Sequence, residues 1–291
     1  MKNIKWILLL ILSLTWGSSF ILIKKALIGL SPIEIGALRI IFAGFILCII
    51  GFKKFKHIEK KYWKPLFIVA VIGTFFPIFL FSYAITEIDS SIAAVLNSLT
   101  PLITMILGVL FFKFEFSKKQ VIGVFIGLFG TLILLYNSAI DNPTKNYFYA
   151  LLIFIAATGY AFSVNYLKKK FKDLDTVSIT ASTFTMLIPF AFIVLCFSDF
   201  FNKDFSEKVN YTSLGYVIIL AAVGTSMAML LFNKLIQISS TIFSASVSYL
   251  ITLVAVIWGV LDGEKLTLIQ CFSAVLIIWG VVIAQKKKKV N

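Results

Sequence analysis

Apolar residues run along this chain in long blocks, and each block ends at a charge or a turn residue. The blocks fall at about 4–25, 33–51, 65–85, 90–112, 119–137, 147–167, 176–197, 212–233, 241–261 and 267–284. Most approach the roughly 20 residues that a helix needs to cross a hydrocarbon core about 30 Å thick. The pattern predicts an all-α integral membrane protein of ten transmembrane helices. The longest connections, about 52–64 and 198–211, are polar and too short to fold alone.

Composition agrees with this reading. Of 291 residues, 60% are hydrophobic and 14% charged, with a mean hydropathy of +0.99 and 30 Phe. A soluble domain carries about a quarter charged residues, so water is not the main solvent here. Lys2 and Lys5 precede an apolar stretch from Trp6 to Ile23, but no small-x-small cleavage site follows, so this reads as an uncleaved first helix.

Charge then gives an orientation. With the N-terminus inside, 20 of the 27 Lys and Arg fall on inner segments, including six lysines between Lys53 and Lys64, Lys168 to Lys172, and Lys286 to Lys289. Six lie outside or at outer helix ends: Lys24, Lys25, Lys145, Lys203, Lys208 and Lys265. That asymmetry predicts a multi-pass plasma (cytoplasmic) membrane protein with both termini cytoplasmic. Its net charge of +14 reflects topology and attraction to anionic membrane lipid, not nucleic-acid binding. Cys48, Cys196 and Cys271 sit in apolar runs, and His57 has no His or Cys nearby, so neither a disulfide framework nor a metal site is expected. No glycine-rich phosphate loop appears, and no cofactor is called for.

An internal repeat changes the picture further. SSIAAVLNSLTPLITMILGVL (90–110) matches SSTIFSASVSYLITLVAVIWGV (239–260) in character, and QVIGVFIGLFGTLIL (120–134) matches QCFSAVLIIWGVVIA (270–284) at an offset of 150. Each half holds five spans, an odd number, so the second enters the membrane from the opposite side. Two inverted five-helix repeats, 1–138 and 146–286, are expected, with a solute site between them near the midplane.

At these residues the chain resembles the EamA-type carriers of the drug/metabolite transporter superfamily. LTWGSSFILIKKAL (14–27) is similar to the family's first helix, and SPIEIGALRIIFAG (31–44), with Arg39, to its second. YAITEIDSSIAAVLNSLTPLITMILGVL (83–110) resembles the third-helix end, tight turn and fourth helix, and GVLDGEKLTLIQ (259–270) the glycine-glutamate linker before the last helix. In the first half FKFEFSKKQ (112–120) stands where the family has such a linker. The resemblance implies ten helices, a cavity lined mainly by helices 1, 3, 4, 6, 8 and 9, and export or exchange of amino acids or related metabolites.

Candidate site residues follow from polarity at depth. Pro77, Pro101 and Pro189 bend helices and free carbonyls, which a membrane tolerates where a cavity or a partner meets them. Asn97, Ser98 and Thr100 precede Pro101, and Ser246, Ser248, Tyr249 and Thr252 occupy the matching region of the ninth span; ordinary interhelical hydrogen bonding is the competing account. Trp16, Ser18, Ser19 and Phe20 pair by the repeat with Tyr160, Ser163 and Asn165, aromatic enough to stack on a solute. Phe76, Phe79 and Tyr83 share one face of the third span, where core packing competes. Lys24, Glu34 and Arg39 are ionisable within spans, and either basic residue could receive a substrate carboxylate, with snorkelling or anchoring as the alternative. Gly123 and Gly127 form a GxxxG that serves as an intramolecular seam or a homodimer face.

These features favour a secondary carrier of small neutral or zwitterionic solutes working by alternating access. A proton-coupled exporter of lipophilic cations is the alternative, and a nucleotide-sugar-type carrier comes third. An enzyme lacks convergent acids and bases at one depth, since every Asp and Glu outside Glu34 lies in or beside a loop. A non-transport structural or signalling role lacks a soluble module.

Overall fold

In the computed structural model, which describes residues 2–88, 90–140, 147–261 and 268–284, the chain is a helical bundle with no strand among the described residues. Its helices are α1 Lys2–Ala26, α2 Pro32–Gly51, α3 Lys60–Ala70, α4 Phe76–Glu87, α5 Ser90–Asn97, α6 Thr100–Phe112, α7 Lys118–Ile140, α8 Ala150–Lys170, α9 Thr176–Cys196, α10 Lys208–Ala221, α11 Ala228–Ile238, α12 Thr241–Ala245, α13 Val247–Leu261 and α14 Leu268–Ala284. Among the described residues, six stretches are long and apolar enough to cross a membrane: Asn3–Ala26, Pro32–His57, Lys60–Glu87, Ala150–Lys170, Thr176–Cys196 and Lys208–Ile238. Thr100–Phe112 and Thr241–Ala255 are shorter apolar helices. Lys145, Lys265, Lys286 to Lys289 and residues 262–267 of the resembled linker lie outside the described residues.

Two expected spans are broken, and the breaks correspond between halves. Pro101 has no N–H to donate to the Asn97 carbonyl four residues back, so α5 stops at Asn97 and α6 restarts at Thr100. The Thr100 hydroxyl donates to that Asn97 carbonyl instead. The second half has no proline there, yet α12 ends at Ala245 and α13 begins at Val247. Tyr249 N–H turns to the Ser246 carbonyl, and the Ser248 hydroxyl donates to Ala245 O at 2.9 Å. A hydroxyl three residues downstream thus satisfies each released carbonyl, at positions related by 148 residues (97 to 245, 100 to 248).

A second pair of irregularities lies in the third span of each half. Val71–Phe75 and Ala222–Met227 are π-helical turns joining α3 to α4 and α10 to α11. In the second, the Thr225 hydroxyl donates to Leu220 O at 2.9 Å and the Ser226 hydroxyl to Ala221 O at 2.8 Å, each reaching back five residues as the widened turn requires.

Packing exchanges the halves in matched pairs. Helix α2 lies on α9 and α7 on α14, while α1 packs on α13 as α8 packs on α6, and α1 meets α10 and α11 as α8 meets α4. The connections meet crosswise. Gly29, between α1 and α2, donates its N–H to the Ser213 hydroxyl at 3.1 Å and accepts from Lys203 Nζ at 3.0 Å. At the other end of α2, Lys54 pairs with Asp175 at 3.7 Å.

The α7–α14 seam answers the question left by GxxxG. A methyl built on Gly280 would lie 2.5 Å from Gly127 N, and one built on Gly123 would collide with the α14 backbone at Ala284. Backbones approach this closely only where side chains are missing, so the motif is used within the chain. Gly280→Val is expected to destabilise the bundle by about 1–3 kcal/mol through overpacking. Thermal unfolding in detergent checks this, and an unchanged midpoint would show that the seam is loose.

Candidate functional site

A cavity of about 120 Å³ lies where these irregular segments converge. It holds several water-sized groups at roughly 10–15 Å³ each. Both π-helical turns reach it through Gly73 and Thr74 and through Gly224 and Thr225, both broken spans through Asn97, Thr100, Ala245 and Ser248, and α1 and α8 through Trp16, Ser19, Tyr160 and Ser163. Halves therefore contribute like elements to one space.

The polar lining is preorganised by the fold. Trp16 Nε1 donates at 2.9 Å to Gly224 O, a carbonyl of the second π-helical turn. Arg39 Nε donates to Thr225 Oγ1 at 2.7 Å, the one hydrogen bond of its guanidinium to a described residue. The remaining guanidinium donors belong to a group that lines the cavity. Aromatic rings close other sides: Trp16 meets Phe232 edge to face at 4.9 Å, and Phe81 stacks on Tyr160 at 5.9 Å. Among the described lining residues Arg39 carries the only charge, and no carboxylate is present.

Glu34 is spent elsewhere. It is 1% exposed, accepts the Ser31 N–H at 2.8 Å in a capping box that opens α2, and pairs with Lys203 at 3.4 Å. Arg39 and Glu34 do not pair with each other, as their spacing around the helix predicts.

The structure brings Trp16, Ser19, Arg39, Asn97, Thr100, Tyr160 and Ser248 onto this cavity and leaves five other candidates off its lining. Lys24 is exposed near the end of α1, and Tyr83 is 37% exposed. The Phe79 ring lies over Gly36 of α2. Asn165, fully buried, donates Nδ2 to Thr104 O at 2.8 Å, and Tyr249, also fully buried, donates its hydroxyl to Val124 O at 3.0 Å. Gly17 faces Val254 of α13, so its missing side chain serves helix contact.

Several lining residues escaped the sequence reading: Thr74, Phe81, Thr225, Phe232 and Asn233. One signal was available. Gly-Thr recurs at 73–74 and 224–225, an offset of 151 beside the 150 of the repeat, and marks both π-helical turns.

A second cavity, about 500 Å³, adjoins the first at the end of the bundle holding residues 168–175, and the two share Leu167 and Asn233. Asp175, on its rim, caps α9. Partial burial favours its neutral form, but hydrogen bonds from Ser178 and the charge of Lys54 outweigh that and hold the carboxyl below its ordinary value.

Comparison with known proteins places this geometry. The model of the EamA-like transporter family matches residues 4–136 and again 147–285. The chain is 27% identical over 282 residues to an uncharacterized inner membrane transporter, YedA, of Escherichia coli K12, covering 94% of this chain and 87% of that protein. It is 25% identical over 182 residues to an uncharacterized transporter in the trpA 3' region of Buchnera aphidicola subsp. Schlechtendalia chinensis, spanning 62% of this chain and only 60% of that relative's length. A solved crystal structure superposes with a TM-score of 0.74 over 96% of this chain and 95% of its own at 15% identity, a likeness of fold. With two matched repeats covering nearly the whole sequence, the chain belongs to the EamA-like transporter family.

Proposed function

We propose that the protein is a secondary carrier of ten membrane spans, built as two inverted five-helix halves, that exports or exchanges small neutral or zwitterionic metabolites across the plasma membrane. Amino acids with apolar side chains fit best. Ten helical units, counting each broken or π-interrupted pair once, support the span number, and the crosswise meeting of connections supports inversion. YedA's name as an inner membrane transporter supports the location. Alternating access follows from a site between halves that can rock about their pseudo-two-fold relation.

One observation carries the solute class: among the described lining residues of a small, aromatic-walled cavity, Arg39 is the only charge. A solute carboxylate can take the guanidinium donors that meet no described residue, since charge-assisted pairs of this kind are the strong ones. The ammonium group then faces Asn97 and the hydroxyls. The Asn97 main-chain carbonyl is already taken by Thr100, so the Asn97 side chain and hydroxyl oxygens do this work. A lipophilic cation meets the opposite balance. At roughly 6 Å from Arg39 and an effective dielectric of about 20, repulsion costs about 3 kcal/mol. Aromatic faces return roughly 0.5–2 kcal/mol. The aromatic walls are the one observation that favours the cation-exporter alternative, and repulsion outweighs them.

Single cysteines at Asn97, Thr100 and Ser248 are expected to react with small water-soluble thiol reagents and to be protected by a transported amino acid, while cysteines at Asn165 and Tyr249 stay unreactive. Uniform inaccessibility would mean that the first three only pack helices. In proteoliposomes, labelled leucine is expected to leave saturably. Glu34→Gln keeps the capping acceptor and should keep flux, whereas Arg39→Gln should lower it at least about tenfold, the equivalent of one charged hydrogen bond. Saturable, gradient-driven efflux of a cationic dye that Glu34→Gln abolishes would instead select the multidrug reading.

A further inference from the structure

Asn233, on α11, has a side chain that no described role uses. It is 3% exposed, and its Oδ1 has no hydrogen-bond partner among the described residues. Its other amide atom is engaged: Nδ2 donates to Thr180 Oγ1 at 2.8 Å. That orientation is dictated, because the Thr180 hydroxyl gives its single proton to Thr176 O at 2.7 Å and can only accept from Asn233. An amide turned the other way would set two acceptors against each other. The unsatisfied oxygen is therefore a product of the fold, and a buried acceptor left unpaired is costly.

Its position gives the oxygen a use. Asn233 and Leu167 are the two residues common to the linings of the central cavity and the larger vestibule, so they form the partition between them. The helices carrying them are fixed to each other just beyond it. Lys168 Nζ donates to Ile236 O at 2.7 Å and Gln237 O at 2.9 Å, capping the C-terminal end of α11, and Gln237 Nε2 donates to Leu174 O at 2.9 Å. Leu167 is thus an apolar plug on a clamped frame, with an acceptor opposite it.

We propose that Leu167 and Asn233 form the constriction of the solute path on the 168–175 side, and that Asn233 Oδ1 selects solutes by accepting a hydrogen bond from an N–H or O–H donor as they pass. This rests on reading the central cavity as a transport site. An ammonium, hydroxyl or amide group repays the unpaired acceptor during passage, and a solute without donors leaves it unpaired. Arg39 recognises the anionic end, so the two residues together favour solutes carrying both kinds of group.

The test needs no natural solute. In full-length protein with Cys48, Cys196 and Cys271 replaced, Ser248→Cys reports arrival in the central cavity. Two thiol reagents are compared: 2-aminoethyl methanethiosulfonate, which carries N–H donors, and its trimethylammonium analogue, which carries none. Asn233→Leu should slow the aminoethyl reagent about fivefold relative to the analogue, the worth of one net hydrogen bond. Leu167→Trp should slow both. Asn233→Gln keeps both an amide donor for Thr180 and an amide acceptor, should leave the ratio of the two rates near that of the parent, and guards against misfolding of the leucine variant. Equal response of the two reagents to Asn233→Leu, indifference to Leu167→Trp, or a leucine-like ratio in Asn233→Gln would overturn the proposal. Failure of leucine flux with this labelling pattern intact contradicts the amino-acid reading alone, so the two failures are distinguishable.

Discussion

Every backbone group released inside hydrocarbon must find a partner within the protein, and the architecture of this carrier depends on that constraint. The chain breaks its helical ladder at Asn97–Thr100 and Ala245–Val247 and widens it at Val71–Phe75 and Ala222–Met227. Each break creates a carbonyl that lipid would punish. Thr100 and Ser248 supply donors to the Asn97 and Ala245 carbonyls, and both donors line the cavity. Polar side chains gather at the centre because the backbone there needs them, and the proposed solute site is what is left over. Trp16 shows both roles, since its indole N–H satisfies Gly224 while its ring walls the cavity.

Charge follows the same economy. Glu34 is consumed in holding the α2 start against Lys203, which also reaches Gly29 O, so the acid stabilises one end of the bundle and offers nothing to the solute space. Among the described residues, Arg39 is held by a single hydrogen bond, to Thr225 of the widened turn itself. A conformational change that rewinds this turn would therefore move the one described residue to which the guanidinium hydrogen-bonds. Coupling between solute binding and helix geometry can run through that contact.

Much of this was legible in the sequence. Apolar runs marked the helices, the repeat at an offset near 150 related the halves, and Pro101 with Asn97 and Thr100 marked the broken fourth span. What resisted reading was facing. In a soluble protein polarity separates surface from core, but lipid and packed interior are both apolar, so periodicity does not say which side of a membrane helix meets a cavity. Tyr249 and Asn165 are polar at the right depth yet turn to Val124 and Thr104, and Phe79 covers Gly36. Thr74, Thr225 and Asn233 sat in runs that looked unremarkable, because widened turns have no strong sequence signature. The recurring Gly-Thr pair was the available clue, and Ser248 keeps the hydroxyl role of Thr100 while the second half reaches the same break without a proline.

The central claim is that two like halves face each other upside down around one cavity. Its most direct test is the sidedness of equivalent connections, with topology reporters fused after residue 60, following the second span of the first half, and after residue 204, following the second span of the other. The account requires residue 60 to be cytoplasmic and residue 204 external. Reporters reading the same side would contradict the inverted arrangement and, with it, the shared site.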